Sequence, residues 1–282
     1  FINEFWTSKQ RAAHSLHEIS YRACFKPQLP RFFIERLTKA GDLVYDPFMG
    51  RGTTVLEANL LGRKSLGCDI NSVSARLIEP RLKVTDYESV EKRLNSLEWR
   101  AYQGNFDESL LTFYHPNTLE KLLALRRYLH QQEECGTIDY VDSWIRMVAT
   151  NRLTGHSAGF FSVYTLPPNQ AVSLESQKRI NARRNQVPPH RDVAGLILKK
   201  TRSLLRDLTD LQRDTLEAID QETTLITGNC ADTPQILDES VQLVVTSPPF
   251  LDVVNYQQDN WLRCWFNRID SSQIPIWQLR RE

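Results

Sequence analysis

Two stretches of this chain hold residues whose types and spacing could do chemistry. The first, "VYDPFMGRGTT", carries Asp46, Gly50, Gly52, Thr53 and Thr54. It reads as an apolar strand ending in an acid, then glycines that open a helix. Glycine lets the backbone come close to a ligand, and a helix N-terminus exposes unpaired amides. Asp46, at the strand end, can accept hydrogen bonds from a bound amine or hydroxyl. Asp69 ends the next strand about 20 residues on, where an acid grips ribose hydroxyls in nucleotide-type folds. The second stretch, "VVTSPPFLDVVNY", brings a strand to a rigid stop at Pro248 and Pro249, with Ser247 and Phe250 on either side. Proline fixes φ and has no N–H to give a sheet, so the strand must end there. A plain structural turn would account for either stretch taken alone.

Taken together, DPFxGxGTT, the acid of GCD and the tetrapeptide SPPF closely resemble the motifs of S-adenosylmethionine-dependent amino-methyltransferases acting on DNA. The usual first motif of that family is DPFxGSGTT; here Arg51 stands where serine is common. The resemblance implies that the methionine part of the cofactor lies near Asp46, Pro47, Phe48 and the turn of Gly50, Gly52, Thr53 and Thr54. It puts the ribose at Asp69. The upstream stretch "YRACFKPQLPRFFIERL" is similar to the segment that closes over the methionine end, which would bring Phe25 and Lys26 to the cofactor pocket. A packed approach to the first helix is the alternative. "LITGNCADT" resembles the third motif, with Asp232 accepting from the adenine amine, or serving only in a turn.

The family chemistry accounts for the residue types in SPPF. The nucleophile is an exocyclic base amine whose lone pair is delocalised into the ring. Two acceptors, the Ser247 side chain and the Pro248 carbonyl, would draw the nitrogen towards sp³ geometry. The Pro248–Pro249 unit holds that carbonyl rigidly before reaction. Phe250 offers a face on which a base swung out of the duplex can stack. The methyl would pass directly from sulfur to nitrogen, with no covalent enzyme intermediate. Carbon methylation would need a nucleophilic cysteine, and the chain has no Pro-Cys pair. Serine in the first position favours cytosine N4 over adenine N6.

The elements expected to position these residues begin with a helix over Pro30–Ala40, with Gly41 as its C-cap. A strand over 43–45, a helix over Thr53–Leu61 and a strand over Ser65–Cys68 then form the start of a doubly wound sheet. Helices are expected over Tyr87–Trp99, Pro116–Glu134, Asp139–Leu153 and Val193–Ile219, with Gly155–Pro189 irregular. Strand character resumes at Leu225–Thr227 and Val241–Thr246. The expected fold is α/β, a Rossmann-like methyltransferase sheet with a mostly helical insertion. Residues 1–86 form the cofactor-binding half, 87–221 the insertion and 222–282 the catalytic half. After Phe250 only one helix is foreseen, with Trp261, Leu262, Trp265 and Phe266 as its buried face. The remaining strands of such a sheet are expected from a second polypeptide or a missing C-terminal segment.

Composition bounds the rest. Net charge is +1 over 282 residues, so bulk charge points to no nucleic acid. Between Ser176 and Arg206, however, nine basic residues face one acid, Asp192. Lys178, Arg179, Arg183, Arg184 and Arg191 there would track DNA phosphates, and His156, Phe160, Tyr164 and Asn169 would lie near the substrate. A solvated helix face and a stabilising helical cap are the alternatives. Five scattered cysteines suggest reduced thiols in a cytosolic protein and no metal site. No apolar run approaches the ~18 residues of a membrane span. The expected partner is double-stranded DNA, within a prokaryotic restriction–modification system. An RNA base methyltransferase and a non-catalytic nucleic-acid-binding subunit are the other readings.

Overall fold

A computed structural model describes residues 13–21, 24–99, 106–165, 171–248 and 259–274. Its centre is a parallel sheet built from β1 (Leu43–Asp46), β2 (Lys64–Asp69), β3 (Thr223–Thr227) and β4 (Leu243–Val244). The order is β3-β2-β1-β4. Asp46 pairs with Gly67, so β2 runs two residues further and its tip, Asp69, stands beyond β1. Asp69 in turn pairs with Thr227. β4 is shorter than the strand expected over 241–246, yet its ladder reaches further. The Gln242 N–H donates to the Leu43 carbonyl at 3.0 Å and the Val245 N–H to that of Tyr45 at 3.1 Å.

Helix α1 (Gln28–Leu37) starts two residues earlier than expected and ends sooner. Its C-cap is Thr38, whose hydroxyl also bonds the Ile34 carbonyl, and Gly41 instead takes the turn into β1 at φ +84°. Helix α2 (Thr53–Leu60) is buried from Thr53 through Asn59, because it lies against the sheet with other helices around it. Ile34, Val44 and Ala58 form a small core there, with Leu61 and Leu243 packed on it. Gly67 lets α2 approach: a Cβ at that position would meet Met49 Sδ at 2.4 Å and Val55 at 3.0 Å. Asn59 then ties α2 to two strands, accepting from Ser65 and donating to Thr223 Oγ1 at 2.6 Å. Helix α3 (Val73–Leu82) follows β2 and packs on α2 and β3.

The described residues of Phe1–Val84, Leu204–Val253 and Ile274–Glu282 make one unit, and those of Thr85–Ser203 and Val254–Gln273 a second. The second unit is helical: α4 (Tyr87–Ser96), α5 (Pro116–Glu134), α6 (Tyr140–Arg152), α7 (Leu174–Arg184) and most of α8 (Val193–Leu205). Arg93 bonds the buried Asp142 and Asp139, which caps α6 through a reciprocal capping box. Trp144 donates to Thr201 at 3.0 Å across the buried interior.

Three expectations need correction. The helix over Val193–Ile219 is two helices: Thr209 caps a separate α9 (Asp210–Ile219) with Gln212, and α9 packs on α2 in the sheet unit. The stretch 155–189 is not irregular throughout, since α7 begins at the Ser173 N-cap and ends at Asn185 in the left-handed region. The last helix, α10 (Trp261–Phe266), lies in the helical unit against α6, so the stretch 222–282 is shared between units. Its buried side chains are Leu262, Arg263, Cys264 and Phe266, with Trp261 and Trp265 half-buried.

Candidate active site

In a parallel sheet every strand ends on the same edge, so the topology brings the tips of β1, β2, β3 and β4 together. Asp46 ends β1 and is 1% exposed. Its Oδ1 accepts from the Thr246 hydroxyl at 2.7 Å and from the Phe48 N–H at 3.1 Å. Burial pushes its carboxyl from the ordinary 3.8 up to about 6, against the pull of those two donors. Asp69 is held in the same manner. The Gly50 N–H donates to its Oδ2 and the Asn71 N–H to its Oδ1, both at 2.8 Å. Burial raises its pKa too, opposed by the same two amides. Each carboxylate oxygen that takes one donor keeps lone-pair capacity for another.

The turn between Asp46 and α2 is shaped by glycine. Gly50 and Gly52 have φ of +51° and +76°, where side chains other than glycine are strained. They differ in surroundings. A Cβ at Gly52 would meet Ile78 at 2.5 Å, whereas one at Gly50 would come no closer than 3.6 Å to the Tyr21 ring and 3.9 Å to the Phe48 carbonyl oxygen. The Met49 N–H donates to the Cys68 carbonyl at 2.9 Å, which lays the turn over the tip of β2. Thr53 and Thr54 are buried, and their hydroxyls take part in holding the turn. Thr53 accepts from Arg51 Nε at 3.3 Å, and Thr54 donates to the Val245 carbonyl at 3.0 Å. Pro47 is half-buried and Phe48 exposed.

The strand leading to the second motif joins this turn directly. Thr246 bonds Asp46, and Val245 bonds Tyr45 and Thr54, so the half-buried Ser247 leaves the sheet next to the Asp46 carboxylate. Pro248 is exposed; Pro249 and Phe250 lie outside the described residues. After β3, the Gly228 N–H donates to the Asp69 carbonyl at 3.0 Å. Asp232 is exposed in a turn, where its N–H donates to the Asn229 carbonyl and the Asn229 side chain accepts from Ala231. Phe25 and Lys26 are half-buried just ahead of α1, and the Lys26 carbonyl accepts from the Leu29 N–H at 3.0 Å.

The basic run divides into different environments. Lys178, Arg179, Arg183 and Arg184 are exposed on α7, the last two in its final turn, where the helix dipole favours cations. Arg184 lies 3.9 Å over the Tyr164 ring. Arg191 is half-buried, its backbone bonded both ways to the Thr118 hydroxyl, so it anchors a loop to α5. Arg202 stacks on Tyr87, and Arg206 pairs with Asp207 and Glu18. His156 is exposed, but Phe160 is buried with the Arg152 guanidinium 4.1 Å over its ring; Asn169 lies outside the described residues.

Sequence reasoning missed Thr246 and noted Arg51 only as a departure from the motif, without its contacts. Thr246 carried a signal, since a hydroxyl two residues before the proline stop must sit near the strand tip. Arg51 carried one as well, a long cation at a position usually held by serine.

Comparison with known proteins points the same way. Residues 1–80 match the model of the N6/N4 DNA methylase family. A type II methyltransferase, M.BsoBI of Geobacillus stearothermophilus, is 24% identical over 96% of this chain and 55% of its own length. Another, M.MjaII of Methanocaldococcus jannaschii, is 36% identical over 31% of the chain and 17% of its own length. A tRNA (guanine(10)-N2)-dimethyltransferase of the same archaeon is 38% identical over 22% of the chain and 18% of its own length. The chain spans about half the length, or less, of these curated relatives. These matches make the chain similar to amino-methyltransferases of the N6/N4 DNA type. Among the described residues no helix is long and apolar enough to cross a membrane, and no cluster of side chains could hold a metal ion.

Proposed function

We propose that the protein carrying this chain transfers a methyl group to an exocyclic amine of a DNA base, with cytosine N4 favoured over adenine N6. The family implies S-adenosylmethionine as the methyl donor, and the residues at the strand tips suit it. Asp46 and Asp69 are acceptors with capacity left, matching an ammonium group and a pair of ribose hydroxyls. A Cβ at Gly50 would make only ordinary contacts, with the Tyr21 ring at 3.6 Å and the Phe48 carbonyl oxygen at 3.9 Å, so the glycine backbone is not pressed by its own core and suits the approach of a ligand. When bound, S-adenosylmethionine supplies an electrophilic methyl group.

The chain's own residues would do the remaining work by position. Ser247 and the Pro248 carbonyl accept from the target amine and localise its lone pair. Phe250 stacks on the extruded base. No general base is needed at the outset, because a methylated amine cation loses its proton readily. The carboxylates hold the donor in place, which converts a bimolecular encounter into an oriented one. The observation that carries this proposal is the Thr246–Asp46 hydrogen bond, which joins the strand of the acceptor motif to that of the donor motif. On α7, Lys178, Arg179, Arg183 and Arg184 would neutralise phosphates. A further segment or polypeptide pairing on β4 would complete the sheet. Val244, 53% exposed, would be covered by it.

Serine ahead of the two prolines supports cytosine over adenine. The match to a tRNA guanine-N2 dimethyltransferase supports a second substrate, an exocyclic amine on RNA, since the same acceptors would serve it. Methyl transfer from labelled S-adenosylmethionine to unmethylated duplex DNA and to RNA, with nucleoside analysis of each product, tests both.

A further inference from the structure

The residue that departs from the family's usual motif makes a set of contacts that serine could not. Arg51 lies between the two turn glycines. Its Nη1 donates to the carbonyls of Ile19 at 2.8 Å and His17 at 3.2 Å, and its Nε to Thr53 Oγ1 at 3.3 Å. The fully buried Arg81 of α3 works beside it, donating to the Leu16 carbonyl at 3.3 Å and to the carbonyl of Arg51 itself. Three carbonyls of one short segment, those of Leu16, His17 and Ile19, are therefore held by two arginines. The segment needs such donors, because it makes only a single 3-10 turn, Ser15–His17. A guanidinium fork can hold several carbonyls at once, whereas a serine hydroxyl reaches only one.

The same segment is tied to α2 by a buried pair. His17 Nε2 lies 2.7 Å from Glu57 Oε1, with both side chains 2% exposed. A carboxylate only accepts, so Nε2 carries the proton. Two residues past Ile19, the Tyr21 ring stands 3.6 Å from the point where a Cβ of Gly50 would be. The segment thus packs as a wall against the glycine turn at Gly50.

We propose that Arg51 is a positioning residue for the cofactor: it clamps the 16–21 wall onto the glycine turn and so presets the space beside Gly50. The proposal rests on the reading of this turn as the S-adenosylmethionine site. The test compares wild type with Arg51→Ser, the residue common in the family, and Arg51→Lys, which keeps one charge but loses the fork. Calorimetric Kd for S-adenosylmethionine, methyl-transfer kcat at saturating cofactor, and hydrogen exchange of the amides of residues 17–19 are measured on each. Expected for Arg51→Ser are a Kd weakened about 10-fold or more, a kcat within about threefold of wild type, and faster exchange at 17–19. Arg51→Lys should fall between the two, and it serves if the serine variant does not fold. A Kd unchanged in both variants, or a kcat that falls while Kd holds, would overturn the proposal. Wild type that fails to bind S-adenosylmethionine would instead overturn the reading of the site on which it rests.

Discussion

The Thr246 hydroxyl donates to the Asp46 carboxylate at 2.7 Å, across the tips of two neighbouring parallel strands 200 residues apart in the chain. The bond links the residue before Ser247 to the acid of the glycine turn. It also stabilises a charge that burial disfavours. Thr246→Val keeps the shape and removes the donor. It should raise the Asp46 pKa further and weaken S-adenosylmethionine binding at pH 7 by roughly 5- to 10-fold, about the net value of one ordinary hydrogen bond. Titration calorimetry on both proteins reads this directly.

Asp46 also predicts how binding depends on pH. With a carboxyl pushed up to about 6, the free protein must lose a proton below that pH before it can face a cationic ammonium. Affinity for S-adenosylmethionine should be flat above pH 7 and weaken towards tenfold per unit as pH falls below about 6. Asp46→Asn should be weaker throughout and lose that slope. Stability of the free protein runs the other way. The folded pKa exceeds the unfolded one, so the contribution is complete below the ordinary 3.8 and is lost as pH rises through about 6. That loss is about 3 kcal/mol, readable in denaturant melts of Asp46→Asn against wild type.

The two turn glycines should respond unequally. Gly52→Ala combines a left-handed φ with a Cβ 2.5 Å from Ile78 in the core, and should cost about 3 kcal/mol. Gly50→Ala carries only the backbone strain and should cost about 1 kcal/mol. Thermal denaturation separates them. Equal losses would mean that close packing against α3 does not decide the choice at Gly52.

For α7 the relevant observable is salt dependence. Neutralising Arg183 and Arg184 to glutamine should weaken DNA binding on any sequence and make the slope of log K against log salt shallower by about 1 to 2. An unchanged slope, measured by anisotropy over 50–200 mM salt, would remove α7 from the DNA interface.

Much of the sheet unit was legible because its signals are local. An acid after a short apolar run, glycines at a left-handed turn and a proline pair each constrain the backbone on their own. β1, α2 and β2 follow from them within a residue or two. The misses were tertiary. Nothing in the apolar spacing of 193–219 shows that Thr209 restarts the helix, because the pattern continues through the break; only the Thr209–Gln212 cap marks it. α7 was hidden by its charge, since a helix with exposed arginines and one buried Gln177 has almost no apolar face. Arg51 could be noticed as unusual, but its partners lie more than 30 residues back in a segment without periodicity. Thr53 and Thr54, expected beside the ligand, also hold the turn through their hydroxyls.

The central claim is that the proline-stopped strand and the glycine turn form one methyl-transfer site. It is tested most directly by incubating the natural protein that carries this chain, and its Ser247→Ala variant, with labelled S-adenosylmethionine and unmethylated duplex DNA, then analysing the nucleosides. The account predicts labelled 4-methylcytosine from wild type and at least 100-fold less from the variant, with cofactor binding intact in both. Labelled 6-methyladenine would overturn the base assignment and keep the site. Cofactor binding with no labelled base from wild type, or full activity in Ser247→Ala, would contradict the account.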